Sequence, residues 1–155
     1  MDMNNSVSFF VSGMPRGKGR PRFTRFGHTY TDDRTRAYEY DILAAFRRNG
    51  SGFFAAKGEP VSISVVIRMP VPQSWSKKRK QEAVSGELAP LVKPDIDNVC
   101  KAVMDALNGN AWHDDTQVVR MDVHKNYVEP SLCGVAVFLR KLNDDKRSAR
   151  DEWSE

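Results

Sequence analysis

The sequence predicts one α+β domain in which helices pack against a mixed β-sheet of about four strands. A length of 155 residues suits a single domain rather than two. Segments with strand and helix periodicity follow one another as strand, helix, strand, helix, helix, strand, strand. The last two strands, expected over residues 119–127 and 135–139, are joined by a short turn, which favours an antiparallel pair. We expect the domain to span residues 1–140, with residues 141–155 as a charged, flexible tail.

The first half of the chain predicts a strand, a basic loop and a helix. An alternation of apolar residues with serines predicts the strand over residues 7–14. The stretch after it is rich in Pro, Gly and Arg and predicts a loop, with a short strand near residues 28–30. Asp33 or Thr35 is a suitable cap for a helix over residues 36–48. The expected apolar stripe of this helix consists of Tyr38, Ile42, Ala45 and Phe46.

The second half predicts a central strand and two further helices. The clearest strand is expected over residues 61–69, where every second residue is apolar. Ser74 or Ser76 is a suitable cap for a short basic helix over residues 77–85. A longer helix is expected over residues 97–107, because apolar residues recur there within one stripe. The stripe consists of Ile96, Val99, Cys100, Val103, Ala106 and Leu107.

Positive charge is concentrated in two segments, although the formal net charge is only +4. The first segment lies in the loop after the first strand and contains no acidic residue, and the second begins the short basic helix. Runs of this kind favour a polyanionic partner, although either segment would also be stable as a solvated surface. The basic residues of the two segments are Arg16, Lys18, Arg20, Arg22, Arg25, Lys77, Lys78, Arg79 and Lys80.

Several protein classes are excluded by composition. No apolar run approaches the roughly 18 residues of a membrane span, and the N-terminal residues lack the basic region of a secretory signal. The two cysteines, Cys100 and Cys133, cannot form a disulfide framework. The three histidines and two cysteines have no zinc-ligand spacing. We therefore expect a cytoplasmic protein without a membrane partner or a zinc site.

Acidic residues cluster around the start of the longer helix. Asp95 precedes it and Asp97 stands at its expected start; Lys101 follows one turn later, and Asp114 and Asp115 stand just before the next strand. Residues i and i+2 point about 200° apart in a helix but share a face in an extended chain. The first two carboxylates therefore converge only if residues 95–97 form an extended approach to the helix. Several such carboxylates would suit Mg²⁺ or Mn²⁺.

A purely structural interpretation of these residues is also open. An aspartate before a helix is usually its cap, and a second one in the first turn complements the helix dipole. Asp114 and Asp115 would then form a solvated turn. Lys101 would be the i,i+4 ion-pair partner of Asp97. Spacing alone does not distinguish this interpretation from a metal site.

The order of these residues resembles the RusA family of Holliday junction resolvases. The resemblance is carried by Lys-Pro-Asp-Ile-Asp-Asn at residues 93–98, Lys101, Asp-Ala-Leu-Asn-Gly at 105–109 and Trp-His-Asp-Asp-Thr-Gln-Val at 112–118. Gly-Met-Pro and Gly-Arg-Pro-Arg within residues 13–22 resemble the basic loop that opens the family. The similarity extends over about residues 7–140. It implies a small homodimeric Mg²⁺-dependent endonuclease, often encoded by phages, that resolves four-way DNA junctions by paired symmetric nicks.

The resemblance also implies roles for individual residues. The essential aspartates of the family fall on Asp95, Asp97 and Asp115, and its essential lysine falls on Lys101. Asp114 matches a neighbouring acidic position, so the choice between Asp114 and Asp115 as principal ligand stays open. The expected cofactor is Mg²⁺, with Mn²⁺ as a substitute. The two basic segments are then expected to contact the phosphates of branched DNA.

Two other functions compete with junction resolution. A DNA-binding or regulatory protein could keep the fold and the basic loop without cleaving DNA. Pro94-Asp95 also resembles the first element of restriction-like nucleases, but the acid-x-lysine on a strand that such enzymes need is missing. The aromatic residues Phe53, Phe54 and Trp75 could stack on unpaired bases, although packing in the core or in a dimer interface is the simpler expectation.

Overall fold

A computed structural model describes residues 4–20, 22–49 and 52–142 of the chain. Within these ranges the chain forms a four-stranded sheet, a separate two-stranded hairpin and three helices. The α+β class is therefore confirmed. In chain order the elements are β1 (Ser6–Ser12), β2 (Arg22–Phe23), β3 (Thr29–Tyr30), α1 (Asp33–Asn49), β4 (Val61–Pro70), α2 (Lys77–Val84), α3 (Ile96–Leu107), β5 (Val118–Val128) and β6 (Gly134–Lys141).

The main sheet is mixed, with strand order β1-β6-β4-β5. β4 pairs in parallel with β5 and antiparallel with β6, and β1 pairs antiparallel with β6. The prediction that the last two strands pair with each other is wrong, because β4 lies between them. The residues that connect β5 to β6 include a single 3-10 turn, Pro130–Leu132, which packs at the end of β4. This turn is long enough to cross one intervening strand.

The core lies between one face of the sheet and the helices. Alternate residues of β4 are at most 1% exposed, and they face α1 and α3. The predicted stripe of α1 is buried throughout, and that of α3 is buried except for Ile96 at its first turn. Phe53 is buried, and Trp75 packs edge-on against Tyr127, so both serve packing.

Element boundaries differ from the predictions by a few residues. α1 begins at Asp33 because Asp32, rather than Asp33 or Thr35, is its cap: the Thr35 amide donates to Asp32 Oδ1 at 2.7 Å. This bond also holds the pKa of Asp32 below its usual value. Ser76 caps α2 as one of the two predicted residues, accepting from the Arg79 amide at 3.2 Å.

The predicted tail begins one or two residues too early. Lys141 is the last residue of β6, and the Leu142 amide donates to the Pro60 carbonyl at 2.9 Å. The core domain therefore extends past the expected boundary at residue 140. Residues 143–155, which carry the rest of the predicted tail, lie outside the described residues.

Gly134 lets β6 pass closely by β1, and its replacement tests this packing. A Cβ atom at Gly134 would lie 2.4 Å from both the Val11 carbonyl oxygen and Phe10 Cζ. Because a backbone atom cannot move away cheaply, we expect Gly134→Ala to lower the free energy of unfolding by about 3 kcal/mol or more. Gly86 has φ +92°, but apart from its chain neighbours no described residue has an atom within 4 Å of an added Cβ, so Gly86→Ala should lower it by only about 1–2 kcal/mol. Urea unfolding measures both, and equal losses would contradict the close contact.

Candidate active site

The segment before α3 places Asp95 at the N-cap position with an extended backbone, φ −71° and ψ 149°. The helix begins at Ile96, so Asp97 already lies in its first turn. The condition for the two carboxylates to share a face, an extended chain through residues 95–97, is therefore not met at Asp97. The Asp95 side chain makes no capping hydrogen bond, although most aspartates at this position do. Its carboxylate is thus available for another partner.

One exposed face of α3 carries alternating charges. At about 100° per residue, Asp97, Lys101 and Asp105 fall within an arc of about 80°, and all three are exposed. Within the described part of the chain, Lys101 forms no ion pair with Asp97 closer than 4.0 Å. The structural interpretation of Lys101 as an ion-pair partner is therefore not realised, and its ammonium group faces solvent.

The acidic turn before β5 is fixed by two side chains. Trp112 is fully buried, and its indole N–H donates to Asp115 Oδ1 at 2.8 Å. The Gln117 side-chain oxygen accepts from the Asp114 amide at 2.8 Å. The Gln117 amide group donates to the Ala56 and Glu59 carbonyls at 2.8 and 3.0 Å. Asp115 is thus half-buried and held in place, whereas Asp114 is exposed.

Negative charge accumulates around Asp115. Burial raises the pKa of its carboxyl, the Trp112 hydrogen bond opposes the rise, and the charges of Asp105 and Asp114 add to it. Asp105 on α3 is therefore within electrostatic range of the acidic turn. A cation at this place would relieve repulsion among these carboxylates.

Lys18 of the basic loop places one positive charge beside the carboxylate of Asp105. Its ammonium group forms a hydrogen-bonded ion pair with Asp105 and lies 3.7 Å from Glu39 Oε1 on α1. The hydrogen bond to Asp105 raises the pKa of Lys18, while burial opposes that rise. The Lys18 amide also donates to the Asn98 carbonyl at 2.9 Å. Lys18 therefore links the loop to α3 through both its backbone and its side chain.

Two glycines allow the loop to lie against the helices. A Cβ atom at Gly17 would be 2.8 Å from Asn98 Cβ, and one at Gly19 would be 2.7 Å from Asp32 Oδ2. The Gly19 amide donates to Thr35 Oγ1 at 3.1 Å. The loop therefore runs across the N-terminal ends of both α1 and α3. These glycines serve contacts within the protein.

The other predicted DNA-contacting residues lie on exposed surfaces. The arginines of the first segment, Arg16, Arg20, Arg22 and Arg25, are exposed, and Arg22 lies 3.9 Å from Asp32. The hairpin formed by β2 and β3 is exposed as a whole, including Phe23 and Phe26. On α2, Lys77, Lys78 and Arg79 are exposed and Lys80 is half-buried. The guanidinium of Arg79 stacks 3.8 Å from the centre of the Trp75 ring.

The carboxylates offer suitable donors for a hard cation but not a closed cage. Carboxylate oxygens are the ligands that Mg²⁺ and Mn²⁺ prefer. Across residues 4–20, 22–49 and 52–142, no three His, Cys, Asp or Glu side chains lie close enough together to hold a metal ion. The structure brings Asp114 and Asp115 within range of Asp105. It does not bring them together with Asp95 and Asp97 as one ligand cluster.

Sequence reasoning assigned no role to four residues that organise this site. Asp105 could have been found from its i+4 spacing to Lys101 and its i+8 spacing to Asp97. Gln117 stands three residues after Asp114, the spacing of a reciprocal cap. Glu39 and Trp112 have no comparable local signal, because their partners are set by the tertiary fold.

No helix in the described ranges is both long and apolar enough to cross a membrane.

Comparisons with known proteins identify the family. The family model described as "Endodeoxyribonuclease RusA" matches residues 12–139. The chain is also 38% identical over 143 residues to the "Uncharacterized protein YqaN" of Bacillus subtilis (strain 168). That alignment covers 88% of this chain and 97% of the relative. The basic loop, the charged face of α3 and the acidic turn follow one another along the matched region. The chain belongs to the RusA endodeoxyribonuclease family.

Proposed function

We propose that this protein is a divalent-metal-dependent endodeoxyribonuclease that resolves four-way DNA junctions. The observation that carries the proposal is the placement of Lys101 and two aspartates on one exposed face of α3, together with a separate acidic turn in which Trp112 and Gln117 hold Asp114 and Asp115. The family match over residues 12–139 supports nuclease chemistry on branched DNA. The alternative is a DNA-binding protein of the same fold that does not cleave.

The residues proposed to hold divalent cations are Asp95, Asp97 and Asp115, with Asp114 as a further ligand; these carboxylates would have to draw together on binding, because they do not form one cluster among the described residues. Mg²⁺ is the expected ion, and Mn²⁺ is the expected substitute. The bound ion would supply Lewis-acid stabilisation of the charge on the phosphoryl oxygens. Lys101 contacts the scissile phosphate or orients the attacking water, since its ammonium group is exposed and unpaired with Asp97.

The basic surfaces are proposed to bind DNA phosphates. The exposed arginines of the first segment and the basic residues of α2 can neutralise phosphates without reading sequence. For Lys18 we propose a different contribution, because its ammonium group is already paired with Asp105 and Glu39. It holds the loop against α3, so that the neighbouring arginines face the DNA.

A homodimer is proposed as the active assembly. A four-way junction has two-fold symmetry, and two opposite strands must be cut to resolve it. A C2 dimer presents two active sites related by the same symmetry. Paired symmetric nicks would then follow from one binding event.

Replacing Asp97 tests the catalytic assignment. We expect Asp97→Asn to abolish cleavage of labelled four-way junctions in Mg²⁺, because the variant loses a carboxylate ligand. Junction binding, measured by gel shift without divalent metal, should survive because the phosphate contacts are unchanged. Asp122 lies exposed on β5, away from α3, so Asp122→Asn is a matched control and should cleave like the wild type.

The same assay distinguishes the competing functions. Wild-type protein is incubated with four-way, three-way and linear DNA, with and without Mg²⁺. Cleavage by Asp97→Asn at the wild-type rate would refute the assignment of Asp97. Equal cutting of linear duplex would refute junction selectivity, and tight junction binding without cleavage in Mg²⁺ would favour the non-catalytic alternative.

The salt dependence of junction binding distinguishes a lysine that contacts DNA phosphates, Lys78, from one that anchors the basic loop, Lys18. Each phosphate-contacting lysine adds about 0.9 to the slope of log K against log salt concentration. Lys78 is exposed on α2, so Lys78→Met should lower the slope by about one. Lys18→Met removes no phosphate contact of its own, because that ammonium group is neutralised within the protein. It releases the loop and the contacts of the neighbouring arginines, so the slope should fall by clearly more than one. An unchanged slope, or a fall of only about one as in Lys78→Met, would contradict the anchoring role.

A further inference from the structure

Lys125 occupies a position where an apolar residue is expected. It lies on the core-facing side of β5, in register with Ile67 of β4, and alternates with Val123 and Tyr127 on the same face. Tyr127 is buried, and Val123 packs against the core. A lysine in such a register is unfavourable unless its ammonium group finds polar partners.

The partners of Lys125 are two backbone carbonyls. Its Nζ atom donates to the Val92 carbonyl at 2.5 Å and to the Pro94 carbonyl at 3.1 Å. Both carbonyls lie in the segment that runs directly into Asp95. Hydrogen bonds from a charged donor are stronger than those between neutral groups. The side chain therefore ties this segment to the sheet at the residue before the proposed metal ligand.

We propose that Lys125 is a positioning residue, which fixes the backbone before Asp95 and thereby sets where the Asp95 carboxylate meets the cation. This inference rests on the proposed function of Asp95. The extended conformation of Asp95 is not maintained by its own side chain, since that makes no capping bond. Lys125 supplies the missing restraint from outside the helix.

The same strand also fixes the second half of the site. β5 begins at Val118, directly after the acidic turn that contains Asp115. Lys125 extends from this strand to the segment before Asp95. Both proposed ligands, Asp95 and Asp115, are therefore positioned relative to the same strand, β5, although 20 residues separate them in sequence. A misplaced ligand weakens metal binding even when the fold is intact.

The test compares Lys125→Met with a matched control on the same strand. Methionine keeps the apolar stem of the side chain and removes its three donors. Arg120 is also basic and exposed, but it is in register with Ser62 on the opposite face of the sheet, so Arg120→Met is the control. Lys125→Arg restores a charged donor. Each protein is examined for Mn²⁺ affinity without DNA by calorimetry, for amide hydrogen exchange over residues 90–98 without metal, and for thermal unfolding.

We expect Lys125→Met to bind Mn²⁺ about tenfold more weakly, the lower end of the effect seen when a residue that supports a metal ligand is removed. Hydrogen exchange should accelerate over residues 90–98 and remain unchanged in β4. Lys125→Arg should recover most of the affinity, and Arg120→Met should match the wild type. If Lys125→Met does not fold, Lys125→Gln, which keeps two uncharged N–H donors, is used in its place with an expected intermediate loss.

The proposal is overturned if Lys125→Met keeps the Mn²⁺ affinity of Arg120→Met, even when its melting temperature falls, because the residue would then serve stability alone. It is also overturned if exchange over residues 90–98 does not change. Wild-type protein that cleaves no junction would refute the proposed function. The metal titration and the exchange measurement would still decide the role of Lys125, since neither requires cleavage.

Discussion

The hydrogen bonds that fix the acidic turn before β5 are the constraint around which the candidate site is built. Asp105, Asp114 and Asp115 lie near enough to one another that the pKa of Asp115 is raised by its neighbours as well as by burial. Left to themselves, such groups would move apart into solvent. The chain prevents this in two ways: Trp112 and Gln117, which flank the acidic pair, hold the turn, and Lys18 from the basic loop pairs with Asp105. The fold therefore maintains an arrangement that its own charges oppose.

Much of the architecture could be predicted because it leaves a local signal. The alternation in β4 and the stripes of α1 and α3 are periodic, and burial follows that period closely. Strand order has no such signal. The short link between the last two strands indicates a hairpin, yet β4 separates them, because pairing is decided by which edges are free in the assembled sheet. Ile96 belongs to the apolar period of α3 but is exposed in the first turn of the helix.

The candidate site also combines residues that the sequence predicts with supporting contacts that it does not. The resemblance to a known family assigned roles to Asp95, Asp97, Lys101 and Asp115, and the structure places these residues around α3 and the turn before β5. The groups that hold them were not predicted. Lys18 and Asp105 are 87 residues apart, and Lys125 and Pro94 are 31 apart. A lysine in an apolar strand register is a detectable anomaly in the sequence, but its partners become visible only when the chain is folded.

The pairing of β1 with β6 has a consequence for synthesis of the protein. The sheet joins an element that begins at Ser6 to one that ends at Lys141, so its contacts span nearly the whole described chain. On the ribosome, the N-terminal strand emerges long before its partner, and β4 waits for both of its neighbours. Contacts of such large sequence separation form late, because the loop between them must first be closed. The complete four-stranded sheet that supports α3 can therefore form only after residue 141 has emerged from the ribosome.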